Sequence, residues 1–213
     1  MSRTATSRRM PVKIKAAVAV AVLILPAMWL VDTIQRVSLQ RKLEPIASEI
    51  AGRPVGVRCP GWWGRLLSPG DTNAGRVTVD AQGRLSDTTD LRAATCAELG
   101  ALAGGARKEQ LACVERSTSC GDDVQQLAWA VGTLSHEAIH LRGIFDEALT
   151  ECYGIQHLAL AAQRLGATPQ QAHGLALLHW ETSPEKKPVQ YQVPGECKDG
   201  GKLDARPADP VWP

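Results

Sequence analysis

The chain has 213 residues, with 24 Lys and Arg against 22 Asp and Glu and a formal net charge of +2. That length suits one domain with a substantial core and is short for two. The charge is nearly balanced and no basic patch is interleaved with aromatics, which argues against a nucleic acid partner.

Residues 1–15 carry Arg3, Arg8, Arg9, Lys13 and Lys15 and no acid. Residues 16–31 then run AAVAVAVLILPAMWLV without a charge. As a helix this run spans about 24 Å, short of a hydrocarbon core of about 30 Å, a mismatch that thinning or snorkelling absorbs. No small-x-small cleavage pattern follows in Met28-Trp29-Leu30-Val31-Asp32, so a transmembrane signal anchor is favoured over a cleaved signal peptide. Either way the basic end stays cytoplasmic, beside anionic lipid, and residues from about 32 onward lie outside.

Residues 32–58 read as a stalk helix or linker. Ile34, Val37, Ile46 and Ile50 form a weak apolar stripe that Pro45 interrupts, and Gly52 and Pro54 stop it. A main domain of residues 59–182 follows. It opens on a loop containing Trp62 and Trp63. Arg76 to Asp80 alternates polar and apolar, and Ala81-Gln82-Gly83 can turn it into a short strand at Arg84-Leu85, making a small hairpin. Leu91 to Leu102 is expected as a helix ending at Gly104-Gly105. A shorter helix is expected over Lys108 to Arg116, broken by Ser117 to Gly121.

Asp122 to Arg142 is the strongest helix. Leu127, Val131, Leu134, Ala138 and Leu141 make one apolar stripe, and Trp129, Thr133, His136 and His140 make a second, nearly opposite. Gly143 ends it. A helix capped by Asp146 runs to about Leu165, and Thr168-Pro169 opens another to about Glu181. Residues 183–213 are a Pro- and Gly-rich tail packed on the domain, with Val193, Leu203 and Trp212 as apolar contacts. The fold class is therefore mainly α (α+β): a helical body with a small hairpin behind one N-terminal transmembrane helix.

Cys59, Cys96, Cys113, Cys120, Cys152 and Cys197 all lie outside the membrane. An even number in an oxidising compartment implies three disulfides among fifteen possible pairings. The absence of a C-x-x-C pair weighs against a cysteine-ligated metal.

His136-Glu137-Ala138-Ile139-His140 is an H-E-x-x-H motif. Residues four apart share a helix face. Two imidazoles so placed can both bind one Zn2+, with Glu137 beside the open coordination position as general base. A catalytic zinc normally takes three protein ligands, and Asp146, Glu147 and Glu151 compete for the third place.

The motif followed by Asp146-Glu147-Ala148-Leu149-Thr150-Glu151 resembles the gluzincins, zinc metallopeptidases of the thermolysin-like and small membrane-anchored kinds. The resemblance covers about Leu134 to Gln156. It implies a zincin-like domain, Glu147 as third ligand and Glu151 as the acid supporting His136. The turn at Gly143 agrees, since it sets Glu147 level with His140 and Glu151 level with His136 on antiparallel helices. Gluzincins usually have much longer insertions between these helices, and the tight hairpin here leaves Glu151 open as the ligand instead. His136 to Asp146 also resembles the metzincin pattern with Asp in the last position. No methionine follows Met28 to supply the Met-turn, so Asp146 is read as a helix cap.

These readings imply an extracytoplasmic zinc metallopeptidase hydrolysing peptide bonds of a peptide or protein substrate with zinc-activated water. The alternative is a cell-surface binding or structural domain, held by disulfides and using zinc structurally or not at all. Donors for a developing oxyanion would come from Arg142, Tyr153, His157, His173, His179 or Tyr191, and the strand at Arg76 to Asp80 could pair with an extended peptide. The substrate and the oligomeric state are not legible.

Overall fold

The computed structural model describes residues 12–61, 74–79, 85–116, 120–182 and 188–208, with backbone alone for residues 12–23 and Val79. The Trp62-Trp63 loop, the Asp80–Arg84 turn, the break at residues 117–119, the start of the tail and Trp212 lie outside the described residues, as does the basic end before Val12.

Helix α1 (Val12–Ala51) is one continuous helix of 40 residues that passes through both Pro26 and Pro45. The interruption expected at Pro45 does not occur. An internal proline costs about 3 kcal/mol, but Leu43, Ile46, Ala47, Ile50 and Ala51 are buried on both sides of it. This stretch packs on the motif helix and the sheet, so residues 43–58 belong to the body rather than standing off it as a stalk. Gly52 ends the helix at φ +70°, a conformation that glycine adopts at no steric cost. Further back, Ile24, Leu25, Met28, Trp29, Leu30 and Val31 are exposed. Among the described residues no helix is long and apolar enough to cross a membrane. The side chains of residues 16–23, half of the expected anchor, are outside the description.

Three strands make one sheet in the order β1-β3-β2. Strand β1 (Gly56–Arg58) pairs parallel with β3 (Leu85–Leu91), and β2 (Gly75–Val79) pairs antiparallel with β3. Val57 and Val77 both sit opposite Thr89. The expected hairpin is present, but its second strand is longer and keeps Leu91, so the next helix starts later. β1, at three residues, is too short to show a period. β2 lies at the sheet edge.

Helix α2 (Ala93–Ala103) and the short α3 (Ala112–Glu115) lead into the main layer. The second of these is a single turn, much shorter than the expected helix over Lys108 to Arg116. Helix α4 (Asp122–Leu141) is the hub, packing against α1, α2, the sheet and the two helices that follow. Leu127, Val131, Leu134, Ala138 and Leu141 are all fully buried. Gly143, at φ +102°, turns the chain into α5 (Glu147–Arg164). Asp146 caps α5 by accepting from the Leu149 amide at 2.9 Å. Thr168 accepts from the Gln171 amide at 3.2 Å ahead of α6 (Pro169–Thr182), and the tail carries a 3-10 turn at Val189–Tyr191.

All six cysteines are paired: Cys59–Cys96 ties β1 to α2, Cys113–Cys120 closes the approach to α4, and Cys152–Cys197 ties the tail to α5. The cysteine-ligated metal is thereby excluded. Gln156 holds the tail as well, donating to the Leu203 carbonyl at 2.8 Å and accepting from the Ala205 amide at 2.7 Å.

Helices α4 and α5 approach very closely. A Cβ built on Gly154 would lie 3.1 Å from the Cα of His136 and 3.2 Å from its nitrogen. Backbone cannot swing aside as a side-chain tip can, so larger residues must part the helices. Gly154→Val is expected to destabilise the protein by about 1–3 kcal/mol. Denaturant unfolding measures this, and an unchanged midpoint would contradict the close packing.

Candidate metal centre

His136 and His140 sit one turn apart on the partly exposed stripe of α4, with ring centroids 4.7 Å apart and planes at 85°. Glu147, in the first turn of α5, reaches both. Its Oε2 lies 3.1 Å from His136 Nε2 and 3.4 Å from His140 Nε2. Two donors bound to one tetrahedral zinc at about 2.0–2.1 Å lie roughly 3.3 Å from each other. The observed spacings fit that geometry, and the three donor atoms form a group that could hold a metal ion.

The far side of each ring fixes which nitrogen is free. His140 Nδ1 lies 2.8 Å from the Ile144 carbonyl, which only accepts, so Nδ1 carries the hydrogen. His136 Nδ1 lies 3.1 Å from Glu151 Oε2. Both arrangements turn Nε2 toward Glu147, so that Nε2 is the atom each ring would offer a metal once deprotonated. Glu147 and Glu151 thus grip opposite edges of one ring. Glu151 does not reach the shared face, and Asp146 is occupied as the cap of α5.

Glu137 lines the same cleft as the two histidines and lies under β2 at Gly75. It is 6 % exposed, and its Oε2 is 3.5 Å from the hydroxyl of Thr89 on β3, which also donates to the Arg76 carbonyl at 3.2 Å. A Cβ on Gly75 would fall 2.6 Å from Glu137 Cγ and 2.7 Å from Oε1. Only glycine lets β2 pass there. A cleft of about 280 Å³ opens above, lined by Gly75, Arg76, Val77, His136, Glu137, His140, Phe145, Glu147 and Tyr191.

Of the six residues considered as oxyanion donors, Tyr191 alone lines this cleft, its ring 5.8 Å from that of His136. His157 bonds instead to the Tyr153 carbonyl at 2.7 Å. His179 is buried beneath the site, its Nε2 3.2 Å from Glu151 Oε1. Arg142, Tyr153 and His173 do not line the cleft. Gly75, Thr89 and Phe145 had not been singled out. An isolated glycine beside the alternating strand was the one available hint.

Burial pulls the His136 pKa down, but the hydrogen bonds it donates to Glu147 and Glu151, with the charges of Glu151 and Glu137, outweigh it and raise it from 6.5 to about 9. Burial lifts Glu137 from 4.5 to about 7, with His136 opposing. Burial and then the charge of His136 lower His140. The hydrogen bond from His136 holds Glu147 below the usual carboxylate range. Burial and the three nearby glutamates raise Tyr191, so its hydroxyl keeps its proton as a donor.

The chain matches no protein-family model, no curated protein and no solved structure. The chemistry of the site therefore rests on its own geometry.

Without metal, the folded chain holds protons on His136 and Glu137 more tightly than the unfolded chain does. The Glu137 contribution to stability is lost as pH rises from 4.5 to about 7, and the His136 contribution as pH rises from 6.5 to about 9. A bound cation requires neutral His136, so metal affinity rises over the same upper interval. Melting temperature should therefore fall from pH 6 to 9 in chelator, while the increment from added Zn2+ grows. A metal-independent profile would contradict the assignment.

Proposed function

We propose that the protein is an extracytoplasmic, zinc-dependent metallopeptidase of gluzincin-like type, with His136, His140 and Glu147 as metal ligands and Glu137 as general base. The observation that carries this reading is the convergence of His136, His140 and Glu147, with one Glu147 oxygen 3.1 and 3.4 Å from the two Nε2 atoms, and with Glu137 lining the same cleft. The cleft lies on the open side of that group, which favours a catalytic site over a closed structural one.

Bound there, zinc would lower the pKa of water toward about 7 and polarise a substrate carbonyl. Glu137 takes the proton from water and returns it to the leaving amine. Its burial, which disfavours the charged form, raises its proton affinity and suits both transfers. Tyr191 donates to the oxygen that gains charge. Glu151 holds the His136 ring at Nδ1. Thr89 steadies the Glu137 carboxylate.

The substrate is a peptide lying along α4. β2 is one of the two edge strands among the described residues and lines the cleft, so an extended chain can add to it by main-chain pairing. A second cavity of about 710 Å³ is lined by Trp129 and Thr133 of α4 and by Ala74, the neighbour of Gly75 in the cleft. The exposed apolar residues of α1 from Ile24 to Val31, continuous with the uncharged run before them, support a membrane anchor that leaves the cleft outside the cell.

Glu137→Gln should retain zinc and lose peptide hydrolysis by about a hundred- to ten-thousandfold, read on a mixed peptide library by mass spectrometry. Glu147→Gln should weaken zinc itself. Hydrolysis by Glu137→Gln at the wild-type rate would end the proposal.

A further inference from the structure

A third histidine lies below the site, on a helix that supplies none of the motif. His179 of α6 is 2 % exposed, and its Nε2 is 3.2 Å from Glu151 Oε1. Glu151, also 2 % exposed, places its other oxygen 3.1 Å from His136 Nδ1. One buried carboxylate thus bridges two imidazoles, and the line His179–Glu151–His136 crosses α6, α5 and α4.

The surroundings hold the His179 ring in place. A Cβ on Gly132 would lie 2.5 Å from His179 Cε1 and 2.9 Å from each ring nitrogen. Any other residue at 132 would push the ring away from Glu151. The Trp129 ring meets it edge-on, with centroids 5.5 Å apart and planes at 64°. Gly132 and Trp129 belong to the same helix as His136, so α4 shapes both ends of the line.

We propose that His179 is a positioning residue for the metal centre. It donates from Nε2 to Glu151 Oε1 and so fixes the rotation of that carboxylate. Oε2 is then held where it accepts the His136 Nδ1 hydrogen, and Nε2 of His136 is presented to the metal. A carboxylate with one donor can turn about its terminal bond; one with a donor on each oxygen cannot satisfy both in any other orientation. Sequence spacing gives no sign of this, because His179 lies 28 residues beyond Glu151. The inference rests on the metal reading above.

The test uses the full chain with His179→Leu, His179→Gln and Gly132→Ala. Gln places an amide donor close to where Nε2 lies; Leu keeps the bulk without a donor. Zn2+ affinity is measured by competition with a chelator, and the visible spectrum of the Co2+-loaded protein reports ligand orientation. Melting of the metal-free proteins reports folding. Removing a partner of a metal-binding histidine typically costs about ten- to a hundredfold in affinity. His179→Leu and Gly132→Ala should show that loss with a shifted Co2+ spectrum, and His179→Gln should stay close to wild type in both. This rescue is one that mere packing would not produce. Should His179→Leu fail to fold, Gly132→Ala and His179→Gln carry the comparison. Wild-type affinity and spectrum in His179→Leu or Gly132→Ala, or equal losses in the Gln and Leu variants, would overturn the inference alone. A wild-type chain binding neither metal would overturn the metal reading, and this with it.

Discussion

The candidate metal centre depends on how closely two helices can approach. Helices usually pack with axes about 8–10 Å apart, the spacing set by side chains at the contact. Here Gly154 of α5 faces the backbone of His136 itself, leaving no room even for a methyl group without a shift. Gly143 closes the hairpin just beyond His140. Close approach and short turn together fix the level of α5 against α4. One four-residue step along α5 then places Glu147 on the Nε2 side of the His136 ring and Glu151 on the Nδ1 side. A wider gap would cost the ring at least one of those partners.

Three glutamates within this small region have different surroundings, which suits them to the different roles proposed above. Glu147 is the most exposed, lies between two imidazoles and keeps its charge readily. Glu151 is buried with a histidine on each oxygen. Glu137 is buried with one long contact to Thr89 and is held near neutrality in its affinity for a proton. Carboxylates separated by environment in this way can serve as ligand, support and base without exchanging roles.

The motif helix and its partner were legible in the sequence because their signals are local. Apolar spacing marked the buried face of α4, and the H-E-x-x-H fixed its other face. A capping Asp and a glycine turn gave the hairpin, and with it the levels of Glu147 and Glu151. What escaped was non-local. β1 is three residues whose strand identity comes from pairing with β3, far along the chain. Pro45 stays within a helix because tertiary burial outweighs its local penalty. Gly75, Gly132 and Gly154 matter for what passes over them, and no pattern in the chain states that. The pairing of Cys152 with Cys197, which holds down the tail that carries Tyr191, is likewise a consequence of the fold.

The polar cluster is also hard to explain as a device for stability. Glu137, Thr89, Glu151 and His179 are all buried in a body packed mainly with Leu, Val, Ile and Ala. Burying such groups costs free energy that hydrogen bonds only partly offset, and apolar residues of similar size often hold a core as well or better. Three disulfides already brace the chain. The apolar core from α1 to α6 needs no ionisable centre to cohere. A ring nitrogen of each motif histidine and a Glu147 oxygen also lie close together beside an open cleft, an arrangement that stability alone does not call for. That arrangement suits the metal-dependent chemistry proposed above better than a role in stability alone.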